Sequence, residues 1–418
     1  MNRTVRAGSA VIAVAVLGLA GCGRGDAGTA GEPQEAEEVA EGAASGAVEV
    51  WAMGTEGEAL GAFAEDFVAE NPDVEINVTA VPWDAAHDKI ATAIAAGQTP
   101  DVSMIGTTWM GEFAATGALD PTPDLIDSSA FFEGAWGSTD VGGTNYGVPW
   151  YVETRVLYYR SDMIDQAPTD WAGLTAMAQE MQAGGAEWGI SLQPGQTGAW
   201  QTFMPFAWQA GAQIVTEDGT EFTIDSPEFV EALTFYQSLF DDGLSPTALP
   251  QGSLEPGFMD GSIGSFVSGP WHVGILDELD SAGMANVALA PLPAGAEQAS
   301  FIGGANLAVF KDAESRDAAW KFVDWLSQPE TQVAWYAAVN DLPSVASAWD
   351  DPSIADDAFL SVFGEQLDTA LAPPSIPTWE EVASVIDTEL ERLTKSGADP
   401  QEVSTSIQEQ AAAIGTGL

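Results

Sequence analysis

Three side chains spaced two residues apart, Tyr151, Glu153 and Arg155, carry the clearest potential for chemistry in this chain. They lie in Tyr146-Gly-Val-Pro-Trp-Tyr-Val-Glu-Thr-Arg-Val-Leu-Tyr-Tyr-Arg160. Beyond the turn at Gly147 and Pro149, its aromatic and β-branched residues predict a strand. Alternation then puts Tyr151, Glu153 and Arg155 on one face and Val152, Thr154 and Val156 on the other. A carboxylate and a guanidinium are costly to bury unless they are hydrogen-bonded. A cleft that hydrogen-bonds a polar ligand satisfies them, and so does a structural Glu–Arg pair at a sheet edge. The strand alone leaves both readings open.

Signals for catalysis are thin. The chain has no phosphate-binding P-loop, no G-x-G-x-x-G after a strand and no G-x-S-x-G elbow. The two histidines, His87 and His272, lack metal-ligand spacing, so no metal and no cofactor is expected. An acid/base pair for glycoside hydrolysis could be drawn from the 63 carboxylates, but their number makes that signal non-specific. Tryptophan is the positive signal. Aromatic faces stack on the apolar faces of sugar rings while carboxylates and amides take the hydroxyls. Among the 15 tryptophans, Trp320, Trp325, Trp335, Trp171 and Trp208 sit at helical spacing and read as core. Trp109, Trp150, Trp200, Trp271 and Trp379 adjoin breakers or caps and read as cleft residues.

The elements that must position these residues belong to a chain long enough for two packed cores, with 418 residues and 46% apolar content. Eleven Lys plus Arg against 63 Asp plus Glu give a formal charge of −52. That balance excludes nucleic acid and anionic lipid surfaces as electrostatic partners, since both need a basic footprint. Arg3 and Arg6 precede an apolar run, Ala10 to Leu19, too short to span a bilayer. The run ends in Leu19-Ala20-Gly21-Cys22, which resembles the lipobox of bacterial lipoproteins, where the cysteine becomes the lipidated first residue. Cys22 is the only cysteine, so disulfides and thiol catalysis are excluded downstream. Residues 23–47 are rich in Gly, Ala and Glu and read as a flexible acidic tether.

From Val48 the pattern is β-α-β-α-β. Strands are expected at 48–51, 74–80 and 101–105, with helices between them closed at Asn71-Pro72 and Gly97. Such a run implies a parallel, doubly wound sheet with ligands beyond the strands' carboxyl ends, where Glu56, Trp83, Asp84 and Trp109 are delivered. The second half repeats the α/β habit. Strands are expected at 188–192, 262–267, 286–290 and 305–310. Helices follow Ser226-Pro227, a Thr378/Glu381 capping box and Asp399-Pro400.

Several segments together resemble the family 1 extracellular solute-binding proteins that feed sugars to ABC importers. They are Glu70-Asn-Pro-Asp73, the run from Gly106 to Leu119, the segment 146–160, Ser268-Gly-Pro-Trp271, the run from Gly303 to Phe310, and Ala318-Ala-Trp-Lys-Phe-Val323. The arrangement is most similar to the trehalose/maltose-binding branch. The resemblance implies two doubly wound α/β lobes joined by hinges, with the ligand cleft between them. The expected lobes are 48–148 with 291–329 and 149–290 with 330–418, and the hinges fall near 147–151, 288–293 and 327–331. Carried over by motif, Glu56 and Trp109 come from the first lobe. Tyr151 and Glu153 match a tyrosine and an acidic ligand residue, Gly303 and Gly304 match a Gly-Gly turn, and Trp271 lies near an aromatic platform. Asn306 stands next to the position where that branch has a tryptophan, a departure that bears on the choice of sugar.

The expectation is therefore a monomeric, lipid-anchored, extracytoplasmic sugar-binding component of an ABC importer, without catalysis, partnered by permease subunits. The alternatives are a secreted glycoside-active enzyme, or a binder of a cationic solute such as a polyamine.

Overall fold

In the computed structural model, which describes residues 36–418, the β-α-β-α-β run is present from Ser45 onward. The expected leader, Cys22 and the tether as far as residue 35 lie outside the described residues. Strand β1 (Ser45–Met53) leads through helices α1 (Gly54–Phe63) and α2 (Glu65–Glu70) to β2 (Asp73–Val81). Helix α3 (Trp83–Ala96) follows, then β3 (Val102–Gly106), α4 (Met110–Ala115) and α5 (Glu133–Gly137). Gly97, left-handed at φ 61°, ends α3, the stop its position predicts. A small hairpin of β4 (Asp140–Val141) and β5 (Thr144–Asn145) precedes the central segment.

That segment is two strands, β6 (Val148–Thr154) and β7 (Val156–Arg160), and not the single strand expected. They belong to different sheets, so the chain changes sheet at Arg155. Residues 147–151, where a crossing was expected, lie inside or just before β6, and the sheet change comes later, at Arg155.

Beyond it run α6 (Trp171–Ala183), α7 (Ala199–Gln209), α8 (Pro227–Asp241) and α9 (Leu254–Asp260). Next come β8 (Ser265–Ser268), α10 (Trp271–Asp280), β9 (Val287–Ala290) and β10 (Ser300–Val309). The C-terminal part holds α11 (Arg316–Leu326), α12 (Pro329–Val339), β11 (Leu342–Pro343), α13 (Pro352–Ala355), α14 (Ala358–Leu367), β12 (Ala370–Leu371), α15 (Trp379–Ser396) and α16 (Pro400–Ile414).

The large sheet runs β11-β6-β10-β3-β1-β2, with β12 paired to β10. Strand β1 is parallel to both β2 and β3, whereas β10 is antiparallel to β3 and β6. The small sheet has β7 between β8 and β9, antiparallel to both. Residues 188–192 make only single bridges, Trp188 to Ile263 and Ser191 to Phe266, where a strand was expected. Gly189 lies so close to the Ala178 carbonyl that a Cβ there would sit 2.0 Å from it, and the segment is spent on that packing. The Thr378 hydroxyl donates to the Gly415 carbonyl, so the expected capping box of α15 is not formed.

Two large apolar cores result, with a third, smaller cluster around Tyr158, Phe266 and Phe363. One gathers β1, β3, α1, α3 and α11 around Val50, Ile105, Phe113 and Trp320, and the other gathers α6, α7, α8, α15 and α16 around Phe203, Tyr236 and Ile386. The described start of the chain is pinned to the first. Arg316 donates to the carbonyls of Glu37 and Glu38, the Ala44 amide donates to Asn71, and β1 already begins at Ser45. The expected tether is therefore held on the fold over its last residues.

Candidate functional site

Where β6 ends, its alternation sorts side chains into two environments. Trp150, Val152 and Thr154 are buried, while Tyr151 and Glu153 are only half-buried on the other face. Those two open into a cavity of about 540 Å³ that also takes Glu56, Pro270, Trp271, Tyr336, Asn340, Asp341, Asp357 and Phe359 into its walls. This volume is in the range of small-molecule sites.

Each wall is placed by local structure. Glu56 stands in the first turn of α1, near the helix's partial positive end. Tyr151 and Glu153 are held at their depth by β10, whose Gly304 has φ 123° and lies against the Tyr151 carbonyl, where a Cβ would come to 2.2 Å. Only glycine fits there. Trp271 opens α10 and remains 42% exposed, an unusual degree for tryptophan. Beneath it the Arg155 guanidinium lies 4.8 Å from the indole centroid and 4.9 Å from the Phe301 ring. Arg155 itself is buried, pairs with Glu153 at 3.3 Å and donates to Gln201 at 2.8 Å. Sheet change and cation are thus one feature: the residue between β6 and β7 ties Glu153 to the underside of Trp271.

The cleft is electrostatically strained toward acid. Burial raises the Glu56 carboxyl above its ordinary range, opposed by hydrogen bonds from its own backbone amide and from Tyr151. Burial, with the carboxylates of Glu56, Asp341 and Glu153 nearby, pushes the Tyr151 phenol well up, so it stays a donor. Asp341 is pushed up to about 8, by burial first and the Glu56 charge second, against a 3.0 Å hydrogen bond from the Trp335 indole.

A pH dependence follows. The native state holds the Asp341 proton up to about pH 8, whereas the unfolded chain loses it near 3.8. In that window the native state binds more protons, so stability from this group is present at low pH and is lost as pH rises. Asp341→Asn should melt above the wild type at pH 8, with the gap closing toward pH 4, when Tm is followed across pH by calorimetry. A constant gap would contradict a proton held on Asp341.

Of the residues expected at the site, the structure brings Glu56, Tyr151, Glu153 and Trp271 into one cavity, with Arg155 behind them. It does not bring the others there. Trp150 is in the core, stacked on Trp335 at 4.8 Å, because alternation turns it away from Tyr151 despite the neighbouring Pro149. Trp200 and Trp379 are buried edge-to-face at 5.2 Å, the breaker before Trp200 merely starting a helix that is buried on all sides. Asn306 is fully buried and donates to the Ser138 hydroxyl at the β10 irregularity. Gly303 and Gly304 act as spacers between β10 and β6. Trp109 packs against Trp83 and His87, outside the cavity walls.

Asp341, Asn340, Tyr336 and Asp357 were not foreseen. Asn340 is the sole non-glycine residue with positive φ among the described residues, ending α12 in a left-handed turn. An Asn-Asp pair stopping one apolar run before Leu342-Pro343 is the signal that could have found it.

Comparison with known proteins gives one consistent picture. A sequence model described as bacterial extracellular solute-binding protein matches residues 52–333. The sugar-binding protein MalE from the phytopathogen Xanthomonas citri superposes with a TM-score of 0.83 at 32% identity, covering 88% of this chain and 97% of that one. A binding protein of Brucella abortus (strain 2308) is 28% identical over 362 residues, 83% of this chain and 87% of its own length. The maltotriose-binding protein of Pyrococcus abyssi is 27% identical over 367 residues, 82% of this chain and 77% of its own.

Proposed function

Because the chain belongs to the bacterial extracellular solute-binding protein family, a family of binding proteins and not of enzymes, we propose that it captures a di- or oligosaccharide such as an α-glucoside and delivers it to the permease of an ABC importer. The observation that carries this reading is the cavity in which the exposed Trp271 indole shares the walls with Glu56, Glu153, Tyr151 and Asp341. An aromatic platform takes the apolar face of a pyranose, and carboxylates accept its hydroxyls through charge-assisted bonds. The maltotriose-binding relative supports a glucoside, and the sugar-binding structural neighbour supports a saccharide.

In this reading the ligand-binding residues are Glu56, Tyr151, Glu153 and Trp271 from the sequence expectation, joined by Tyr336, Asn340 and Asp341. Residues 48–148 with 291–329 form one lobe and 149–290 with 330–418 the other, closing on the sugar as a hinged clamp. The sheet change at Arg155 and the return from β9 to β10 support two strand crossovers between them, although the pairing of β6 and β11 within the large sheet favours grouping 148–154 and 342–343 with the first lobe. Cys22, in its lipobox-like setting, anchors the protein to the outer face of the cell membrane. No helix among the described residues is long and apolar enough to cross a membrane.

A second reading has its own observation. Glu56, Glu153 and Asp357 line the cavity, and the Arg155 guanidinium is buried behind it, which would suit a cationic solute. A thermal-shift screen separates the two, since a ligand bound only by the native state raises Tm by mass action. Maltose or maltotriose should raise Tm and spermidine should not, at matched ionic strength. A rise with spermidine alone would overturn the saccharide reading.

A further inference from the structure

We propose that His272 is a positioning residue for Trp271, fixing the indole over the cleft through a Ser268–His272–Glu255 chain of hydrogen bonds. The inference rests on the saccharide reading for its affinity measurement only. The turn Ser268-Gly-Pro-Trp-His272 joins β8 to α10, whose first residue is Trp271. It is clamped at both ends. The Ser268 hydroxyl lies 2.7 Å from His272 Nδ1, closing the five-residue turn on itself. The other ring nitrogen, Nε2, lies 3.3 Å from Glu255 Oε1 on α9. An ionised carboxylate only accepts, so Nε2 carries the proton and Nδ1 is left to accept from Ser268. Burial lowers the proton affinity of His272, which favours the neutral ring.

The ring is itself held, 5.1 Å from Phe266 and 6.1 Å from Tyr158, and the Tyr158 hydroxyl donates to the Gly269 carbonyl at 2.7 Å. Gly269 lets the indole lie down on the turn, since a Cβ there would come within 2.0 Å of the Trp271 ring. The groups facing His272 are therefore Ser268 on its own turn, Glu255 from α9, and Tyr158 with Arg155 from β7 and its start. Ser268 is buried, so the chain acts as a clamp and not as a nucleophile and its base. Exposed Trp271 has Arg155 below it and this clamp at its root. Loss of the clamp frees the backbone that aims the ring.

The test uses the full chain with maltotriose as probe, His272→Ala and His272→Asn in the wild-type background, and His272→Ala in a Trp271→Ala background. Asparagine presents an acceptor near the position of Nδ1. His272→Ala should weaken maltotriose binding about three- to tenfold, the scale of one lost hydrogen bond. His272→Asn should recover most of that loss. In the Trp271→Ala background the histidine change should add nothing, because its effect runs through the indole. Hydrogen exchange of the 268–276 backbone, read without sugar, should quicken in His272→Ala. Ser268→Ala, which keeps the ring, should give the same direction and serves if His272→Ala does not fold. Equal losses of affinity in both backgrounds, or unchanged exchange in the 268–276 turn, would overturn the proposal. If the wild type binds no saccharide, the function reading fails while the exchange measurement still decides the clamp.

Discussion

Replacing Trp150 with alanine should lower the unfolding free energy by about 3–5 kcal/mol, the cost of emptying a fully packed aromatic site. Trp150 is 1% exposed and stacks on Trp335, which also meets Phe63 edge-on at 4.9 Å. Removing the indole opens a cavity among rings that cannot collapse onto one another without leaving their own contacts. For a chain of this length the change corresponds to a Tm loss on the order of 5 °C. Ligand affinity of the folded variant should change little, because the side chain is on the face of β6 opposite Tyr151 and Glu153. Calorimetric melting together with a maltotriose titration on the one variant checks both halves. Intact stability with lost affinity would return Trp150 to the cleft.

Trp271→Ala should do the reverse. Its ring is 42% exposed and rests on Arg155 and its own turn at the cavity wall, so truncation opens no enclosed void in the core. If the indole is the platform for a pyranose, binding should weaken by about 1–3 kcal/mol or more, as expected for a central aromatic contact. Tm without ligand should move by no more than about 1 °C, because mutations outside the core are usually small in effect. The loss of the indole also uncovers the Arg155 guanidinium, which water can then solvate. A variant that binds maltotriose as tightly as the wild type would show that the sugar does not stack there.

The pair of tryptophans shows what could be read in advance and what could not. Both adjoin a proline, and neighbouring breakers alone gave them the same assignment. Alternation along β6 separates Trp150 from Tyr151, and that alternation was legible: Tyr151 and Glu153 share a face as expected. Arg155 was legible as a partner of Glu153, but the sheet change it marks was not. A single extended run satisfies the same propensities whether it stays in one sheet or passes between two. The parallel start of the large sheet was readable because its periods of two and 3.6 are long and clean from Val48 to Ile105. Asp341, Tyr336 and Asp357 were not readable, since they reach the cleft only when β11 pairs with β6 and α12 ends in its left-handed turn at Asn340. Such pairings join segments nearly two hundred residues apart, and local pattern carries no record of them.

The measurement closest to the central claim is a calorimetric titration of maltotriose into the wild type and into Glu153→Gln. Glu153 stands in the cavity wall, tied to Arg155 at 3.3 Å, and keeps part of its surface open to solvent. The amide conserves shape but offers one acceptor oxygen in place of two. The account predicts saturable one-to-one binding by the wild type and a loss of about 1–3 kcal/mol in the variant, alongside a lowered Tm, because the buried Arg155 guanidinium loses its carboxylate partner. No saturable heat from the wild type would contradict the saccharide reading of the cleft. Equal affinity in both proteins would contradict the role of Glu153 as a ligand residue and leave it a structural partner of Arg155.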